Sequence, residues 1–261
     1  MGVTATPMND SYALCLCGGW HLTYAGRPIP VHGREQRVLS LLALQGASER
    51  RYVAGTLWAE HSEEQALASL RASVWHLRSA APGLLSITGP TLDLDAATVD
   101  LHDIRHSARA AIENPATVDA DSIMFLLARA ELLPGWDEDW ILYERERLHQ
   151  LRLQALESLA HEALGRSDAY GAIAAAGAAA HLEPLRESPR RLLIAAHLAI
   201  GNHADAFREY LDFGRALRQE MGITPSDQMA ALVRTMRIPS HAPPQQRQAS
   251  TPLEMGSTPG L

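Results

Sequence analysis

Residues 63–81, EEQALASLRASVWHLRSAA, decide how the first part of the chain is interpreted. Their apolar positions recur at steps of four, four and three, which is the period of one buried stripe of a helix. These positions are Ala66, Leu70, Val74 and Leu77. The opposite face is predicted to carry Gln65, Ala68, Ala72, Trp75, His76 and Ser79. Such a face suits a helix that lies in a groove of DNA, which needs short side chains and hydrogen-bond donors. An ordinary amphipathic helix with a solvated back explains the pattern as well.

Composition limits the class of protein. The 261 residues suffice for two modest domains, each expected to have its own core. The two cysteines, Cys15 and Cys17, cannot form a disulfide framework, which favours a reducing compartment. No leader pattern and no apolar run of about 20 residues appears, so we expect a cytoplasmic protein without a membrane partner.

The acidic charge is unevenly placed along the chain. The net charge is −7, and all 23 basic residues are arginine. Residues 1–99 hold seven arginines against eight acidic residues, whereas residues 100–238 hold 15 against 21. The first part is therefore nearly neutral. A role in DNA binding is compatible with that balance, although dedicated DNA-binding domains are usually basic.

Turn and periodicity signals predict a winged helix behind a small sheet. Short strands are predicted at residues 13–16, 20–24 and 29–31, and helices at 34–45, 51–59 and 63–81. Within the second helix, Trp58 should face the core. A hairpin follows over residues 84–94 around Gly89-Pro90.

The pattern of the second part predicts helices separated by glycines. They are predicted at residues 99–114, 121–132, 140–164, 169–182, 190–200, 204–220 and 226–236. Ala172-Ile173 and Ala206-Phe207 lie 34 residues apart, which is the tetratricopeptide period, so these helices should stack into a short solenoid. Two charged segments, Asp137-Glu138-Asp139 and Glu144-Arg145-Glu146-Arg147, are either a partner surface or solvated helix with local ion pairs.

Several segments resemble one family of bacterial regulators. LCLCGGWHLTYAGRPIPVHGREQRVLSLLAL (14–44), Leu57-Trp58 and ALASLRASVWHLR (66–78) resemble the winged-helix half of the SARP family, the Streptomyces antibiotic regulatory proteins. The DNA-binding domain of that family resembles that of OmpR-type response regulators. ELLPGWDEDWILYERERLHQLRLQALESLA (131–160) and residues 183–226 resemble the bacterial transcriptional activator domain that follows it.

The resemblance implies an architecture. It is a mainly α protein with a small β component, in which a winged helix-turn-helix domain (11–98) precedes an all-α tetratricopeptide-like domain (99–237). Residues 1–10 and the tail at 238–261 are expected to be disordered.

The resemblance also implies a function and its residues. It implies a transcriptional activator that binds promoter repeats, dimerises and recruits RNA polymerase without a cofactor. The implied DNA contacts are Ser69, Arg71, Ser73, His76 and Arg78 on the third helix, with Arg34 and Arg37 on the first. Arg71 and Arg78 are favoured, because a guanidinium can fork onto guanine or phosphate. The loop of Glu60, His61 and Ser62 is the implied polymerase contact. For Trp75, packing on the wing or on the second domain is favoured over base stacking.

The chain departs from the family pattern at two places. His76 follows Trp75 where the family usually has an arginine, and the hairpin carries Asp93 and no basic residue. These departures support an alternative function, a protein-interaction adaptor whose winged helix no longer reads DNA.

Enzyme and metal sites find little support in the sequence. His102 and His106 have the spacing of two metal ligands on a helix, but no third ligand is evident. No nucleophile elbow and no paired Cys and His appear either. We therefore expect no catalytic activity and no metal.

Overall fold

The computed structural model describes residues 11–234. The predictions for residues 1–10, for the tail at 238–261 and for the end of the last helix lie outside this range. Among residues 11–234, no helix combines the length and the apolar composition that a bilayer crossing requires.

A four-stranded sheet opens the fold. It contains β1 (Tyr12–Cys15), β2 (His21–Tyr24), β3 (Arg27–Ile29) and β7 (Ala97–Val99), in the order β3-β2-β1-β7. The first three strands form an antiparallel meander. All three strands were predicted, but β3 lies two residues earlier than the predicted strand at 29–31. β7 was not predicted: it joins β1 in parallel from the far end of the winged-helix part of the chain.

The winged helix itself is present. Its elements are α1 (Gly33–Gln45), β4 (Ser48–Glu49), α2 (Arg50–Leu57), α3 (Glu63–Ala80), β5 (Ser86–Thr88) and β6 (Thr91–Asp93). β5 and β6 form the predicted hairpin, and β4 adds to it in the order β4-β6-β5. Trp58 is buried, as predicted.

The regular secondary structure of the second part is helical. It consists of α4 (Asp100–Glu113), a short 3-10 turn (Pro115–Thr117), α5 (Ala120–Ala128), α6 (Asp139–Gly165), α7 (Ala169–Leu182), α8 (Glu187–Ala199), α9 (His203–Met221) and α10 (Asp227–Arg234). From α6 to α9 each helix packs on the next. Ala172 and Ala206 are both fully buried, so the 34-residue repeat corresponds to core positions of successive helical hairpins. The predicted fold class, mainly α with a small β component, is confirmed.

The two parts share one core. Buried side chains from Tyr12 to Leu193 form a continuous hydrophobic cluster that spans both parts, so the winged-helix part does not have the separate core that was expected. A smaller separate cluster around Phe213 joins α8, α9 and α10 within the second part. Asp100, the first residue of α4, ties the parts together. Its carboxylate accepts hydrogen bonds from the amides of Leu16 and Cys17, each at 2.9 Å. Burial, reinforced by the negative charge of Asp100, raises the pKa of the Cys17 thiol to about 12.

The ELLPGW segment (131–136) makes further contacts between the two parts, which together with those of Asp100 form the joint between them. The amide of Gly18 donates to the carbonyl of Glu131, and the amide of Leu133 donates to that of Leu16, each at 2.8 Å. Arg145 donates in turn to the carbonyls of Leu132 (2.7 Å) and Leu133. The predicted helix 121–132 therefore ends early, at Ala128, because the backbone of Glu131 and Leu133 bonds instead to Leu16 and Gly18, directly after β1.

The charged segments around α6 pair within the molecule. Glu144 is buried and binds Arg105 at 2.5 Å and Arg147 at 2.9 Å. The local ion pair of Glu144 with Arg147 agrees with one of the two sequence interpretations, but the carboxylate is buried and not solvated. Glu138 faces the winged helix, where its Oε1 lies 2.9 Å from Nε of Arg37 in an ion pair that lacks hydrogen-bond alignment.

Candidate nucleic-acid interface

Helix α3 has one buried and one exposed face. Ala66, Leu70, Val74 and Leu77 are all buried, which confirms the predicted stripe. The helix begins with a capping box, in which the amide of Gln65 donates to the Ser62 hydroxyl at 3.4 Å and the Gln65 side chain accepts from the Ser62 amide at 3.3 Å. This cap fixes where α3 starts, and so which residues face outward.

An exposed ridge runs along the outer face of α3. Arg71, Trp75 and Arg78 follow one another at steps of four and three, so they line up on one side of the helix. All three are exposed, and Trp75 retains 66% of its accessible surface. The predicted neighbours of this ridge are exposed too: Gln65, Ala68, Ala72, His76 and Ser79.

A cleft beside the ridge collects three arginines. Arg71 and Arg78 line it from α3, together with Trp75, and Arg50 lines it from the start of α2. Ile87 of β5 forms its other wall. In the part of the chain that the structure describes, none of these guanidinium groups forms an ion pair. The cleft is thus a concave, uncompensated cationic surface, which suits an anionic ligand.

Arg50 lines the cleft but was not among the residues predicted from the sequence. Its amide donates to the carbonyl of Pro90 at 2.9 Å, which attaches the start of α2 to the turn of the hairpin. The pairing of β4 with β6 creates this neighbourhood. A two-residue strand leaves no periodic signal, so nothing in the sequence indicated it.

The structure corrects one of the implied contacts. Ser73 is only 2% exposed, because it lies within the buried stripe between Leu70 and Leu77. It therefore has no surface to offer DNA. Ser69 is half-buried at the edge of the exposed face.

His76 and the α1 arginines differ in their surroundings. His76 Nδ1 lies 3.2 Å from Oε1 of the buried Glu35, which holds the ring against α1 while half of the side chain stays exposed. Arg37 is turned toward Glu138 and is about one-third exposed. Arg34 is exposed and, among residues 11–234, forms no ion pair. Arg34 is thus better placed than Arg37 to reach a phosphate.

The loop between α2 and α3 is exposed as expected. Glu60, His61 and Ser62 are all accessible. The His61 amide donates to the carbonyl of Trp58 at 3.0 Å, and Ser62 is used by the cap. Glu60 and the His61 ring are therefore the groups that a partner can contact.

One member of the histidine pair on α4, His102, has a structural role, whereas His106 is exposed. His102 Nε2 lies 2.9 Å from the carbonyl of Ala43 and so links α4 to the end of α1. Within residues 11–234, no cluster of three or more His, Cys, Asp or Glu side chains has the geometry to hold a metal ion.

Comparison with known proteins places this architecture in a family. The family model of the bacterial transcriptional activator domain matches residues 99–237, more than half of the chain. Regulatory protein AfsR of Streptomyces coelicolor is 32% identical over 214 residues, which cover 77% of this chain and 22% of that protein. AfsR of Streptomyces griseus is 30% identical over 226 residues, covering 80% and 23%. The chain belongs to the SARP family of transcriptional regulators.

This family member spans less than a quarter of the length of the curated relatives that it matches. A solved structure, Mycobacterium tuberculosis EmbR in complex with a low affinity phosphopeptide, aligns with a TM-score of 0.71 at 21% identity. The alignment covers 87% of this family member and 65% of that chain, and it shows the shared fold.

Proposed function

We propose that the protein is a DNA-binding transcriptional activator. In this proposal α3 docks on promoter repeats in the cytoplasm, and the complex recruits RNA polymerase without catalysis or a cofactor. The observation that carries the proposal is the cleft of Arg50, Arg71 and Arg78 beside the exposed ridge of α3. Unpaired arginines suit phosphates and guanine edges, which accept hydrogen bonds in the forked geometry that a guanidinium donates.

Local charge supports this function despite the acidic total. The net charge of −7 arises mainly after residue 99, where many charged groups pair with each other. The winged helix is close to neutral, and its cleft concentrates three positive charges on one side. A small number of phosphate contacts implies modest affinity per protomer, which is why we propose a homodimer on repeated sites.

The second part supplies the surface for protein partners. The solenoid leaves Phe207 and Leu211 exposed one turn apart on α9, an arrangement suited to helix packing between protomers. We assign dimerisation to this half, and contact with RNA polymerase to the exposed loop of Glu60, His61 and Ser62.

An electrophoretic shift tests the proposal, using duplexes from upstream of the protein's own gene at about 50 mM and 200 mM salt. The wild type should shift a duplex, and the double variant Arg71→Gln/Arg78→Gln should not. Arg166→Gln is the control, because Arg166 is exposed at the end of α6 and its Nε lies 3.7 Å from the carboxylate of Glu162. The absence of a shift at both salt concentrations would overturn the proposal. So would equal binding by the double variant and the control.

The two α1 arginines give a finer comparison in the same assay. Each lost phosphate contact lowers the log-log salt slope by about 0.9. Arg34→Gln should show this decrease. Arg37→Gln should leave the slope unchanged, because its guanidinium already pairs with Glu138.

The charge of the β5–β6 hairpin favours a second function, that of a protein-interaction adaptor. Its turn and strands carry Asp93 and no basic residue, so it adds no favourable charge toward a duplex. An adaptor would either bind no promoter duplex at either salt concentration or bind it equally well with and without the Arg71 and Arg78 substitutions.

A further inference from the structure

Trp75 stands out on the exposed ridge of α3. It is the largest side chain there, it remains 66% exposed, and it lies between Arg71 and Arg78. Its neighbour Val74 faces the core, so the indole does not belong to the buried stripe. Among the described residues of α3, this is the one large apolar group that the fold itself leaves uncovered.

Two successive contacts limit how the indole can be oriented. The Trp75 ring meets the His76 ring edge-on, with centroids 5.1 Å apart and planes at 61°. His76 is itself held by the buried carboxylate of Glu35 at 3.2 Å. An aromatic group that is ordered before binding loses less conformational entropy when a ligand covers it.

The chemistry of the indole narrows what it can recognise. It offers one N–H donor and a broad apolar face, whereas the arginines on either side already supply donors for phosphates and base edges. In the major groove the apolar feature of a base pair is the C5-methyl group of thymine. The cationic cleft beside Trp75 favours an anionic duplex over an apolar protein surface as the occupant.

We infer that Trp75 is a specificity-determining residue that contacts thymine methyl groups in the major groove. The inference rests on the proposed DNA-binding function and deepens it, because it names a base feature that the ridge selects. Sites of this protein should therefore contain thymine at the position that faces the centre of α3, flanked by base pairs or phosphates that the arginines bind.

The test removes only the methyl group. Duplexes that bind the full chain are selected from a random library, and each thymine is then replaced in turn by deoxyuridine, which lacks the C5-methyl. Replacement at the thymine facing Trp75 should weaken wild-type binding about fourfold, the equilibrium equivalent of one methyl group losing its apolar contact. Trp75→Ala should bind the thymine duplex more weakly and should no longer distinguish thymine from deoxyuridine. Tyr170→Ala, which removes another exposed aromatic ring on α7, should keep the discrimination.

The outcomes separate this inference from the proposed function. If the wild type selects duplexes but binds the thymine and deoxyuridine forms equally, the inference is overturned and DNA binding stands. If Trp75→Ala keeps the wild-type discrimination and loses only polymerase recruitment, the indole contacts protein and the inference is again overturned. If no duplex is selected, the proposed function fails and the inference fails with it. The comparison of the two duplexes uses the unmodified chain, so it does not depend on whether a variant folds.

Discussion

Replacing Asp100 with asparagine should weaken the joint between the winged helix and the helical half. One carboxylate oxygen accepts from the amides of Leu16 and Leu101, at 2.9 and 2.7 Å, and the other accepts from Cys17 at 2.9 Å. Asparagine keeps one acceptor oxygen and directs an NH₂ group at the remaining N–H. At least one hydrogen bond to a charged acceptor is lost, which costs about 1.5–3 kcal/mol of unfolding free energy.

Urea unfolding measures this loss. With an m-value of about 3 kcal/mol/M for a chain of this size, Asp100→Asn should lower the midpoint by about 0.5–1 M. Asp103→Asn is the control, because Asp103 is exposed in the same first turn of α4 and carries the same charge near the helix start. Its midpoint should move by no more than about 0.2 M, since an exposed charge at a helix terminus contributes only a few tenths of a kcal/mol.

The shared core also predicts the shape of the unfolding curve in the same experiment. Because one hydrophobic cluster spans both halves, tryptophan fluorescence and helical circular dichroism should report one coincident transition. Equal midpoints for Asp100→Asn and Asp103→Asn would refute the role assigned to this carboxylate. Two separate transitions in the wild type would refute the shared core.

Two other predictions concern buried ionisable groups. The folded protein raises the pKa of Cys17 to about 12 from an ordinary value of 9.0, so above pH 9 the unfolded chain loses a thiol proton that the folded chain keeps. The free energy of unfolding should therefore fall with rising pH between 9 and 12, by at most about 1.4 kcal/mol per pH unit. Cys17→Ala should remove this part of the slope. A difference in unfolding free energy between the two proteins that does not change with pH would contradict the prediction. Glu144→Gln leaves the mostly buried Arg105 without its counter-charge and should lower the free energy of unfolding in urea by about 3–5 kcal/mol. The double variant Glu144→Leu/Arg105→Met should lower it by less. A decrease below about 1 kcal/mol for the single variant would mean that the pair is effectively solvated.

Local periodicity was enough to predict most elements of this fold. The apolar stripe of α3 and the glycine-punctuated helices repeat over many residues, so their signal is strong. β4 and β7 could not be predicted, because they have two and three residues and exist only through partners that are distant in sequence. The early end of α5 has the same cause: residues after Ala128 have helical composition, yet the backbone of Glu131 and Leu133 bonds to the segment directly after β1.

The candidate site was predictable to the extent that helix geometry defines it. Arg71 and Arg78 follow from the α3 pattern, and the burial of Ser73 was available in the same pattern, since it lies three residues after Leu70 and four before Leu77. The position of Arg50 depends on its hydrogen bond to the hairpin turn, and the orientation of Arg37 depends on its ion pair with Glu138. A single sequence carries no signal for such pairs.

The joint at Asp100 and the ELLPGW segment has a consequence for promoter architecture. Backbone hydrogen bonds in both directions and a common core hold α3 in a fixed orientation relative to the solenoid. A duplex has about 10.5 base pairs per turn, so the number of base pairs between two sites also sets the side of the duplex that each site faces. A protein with a rigid joint cannot rotate to follow a change of side. In the proposed homodimer, which the solenoids would join, half a turn inserted between the two repeats would place the second repeat on the opposite face of the duplex from the second copy of α3. A full turn inserted there would place it one helical turn too far away, so the proposed activator should require one fixed spacing of its repeats.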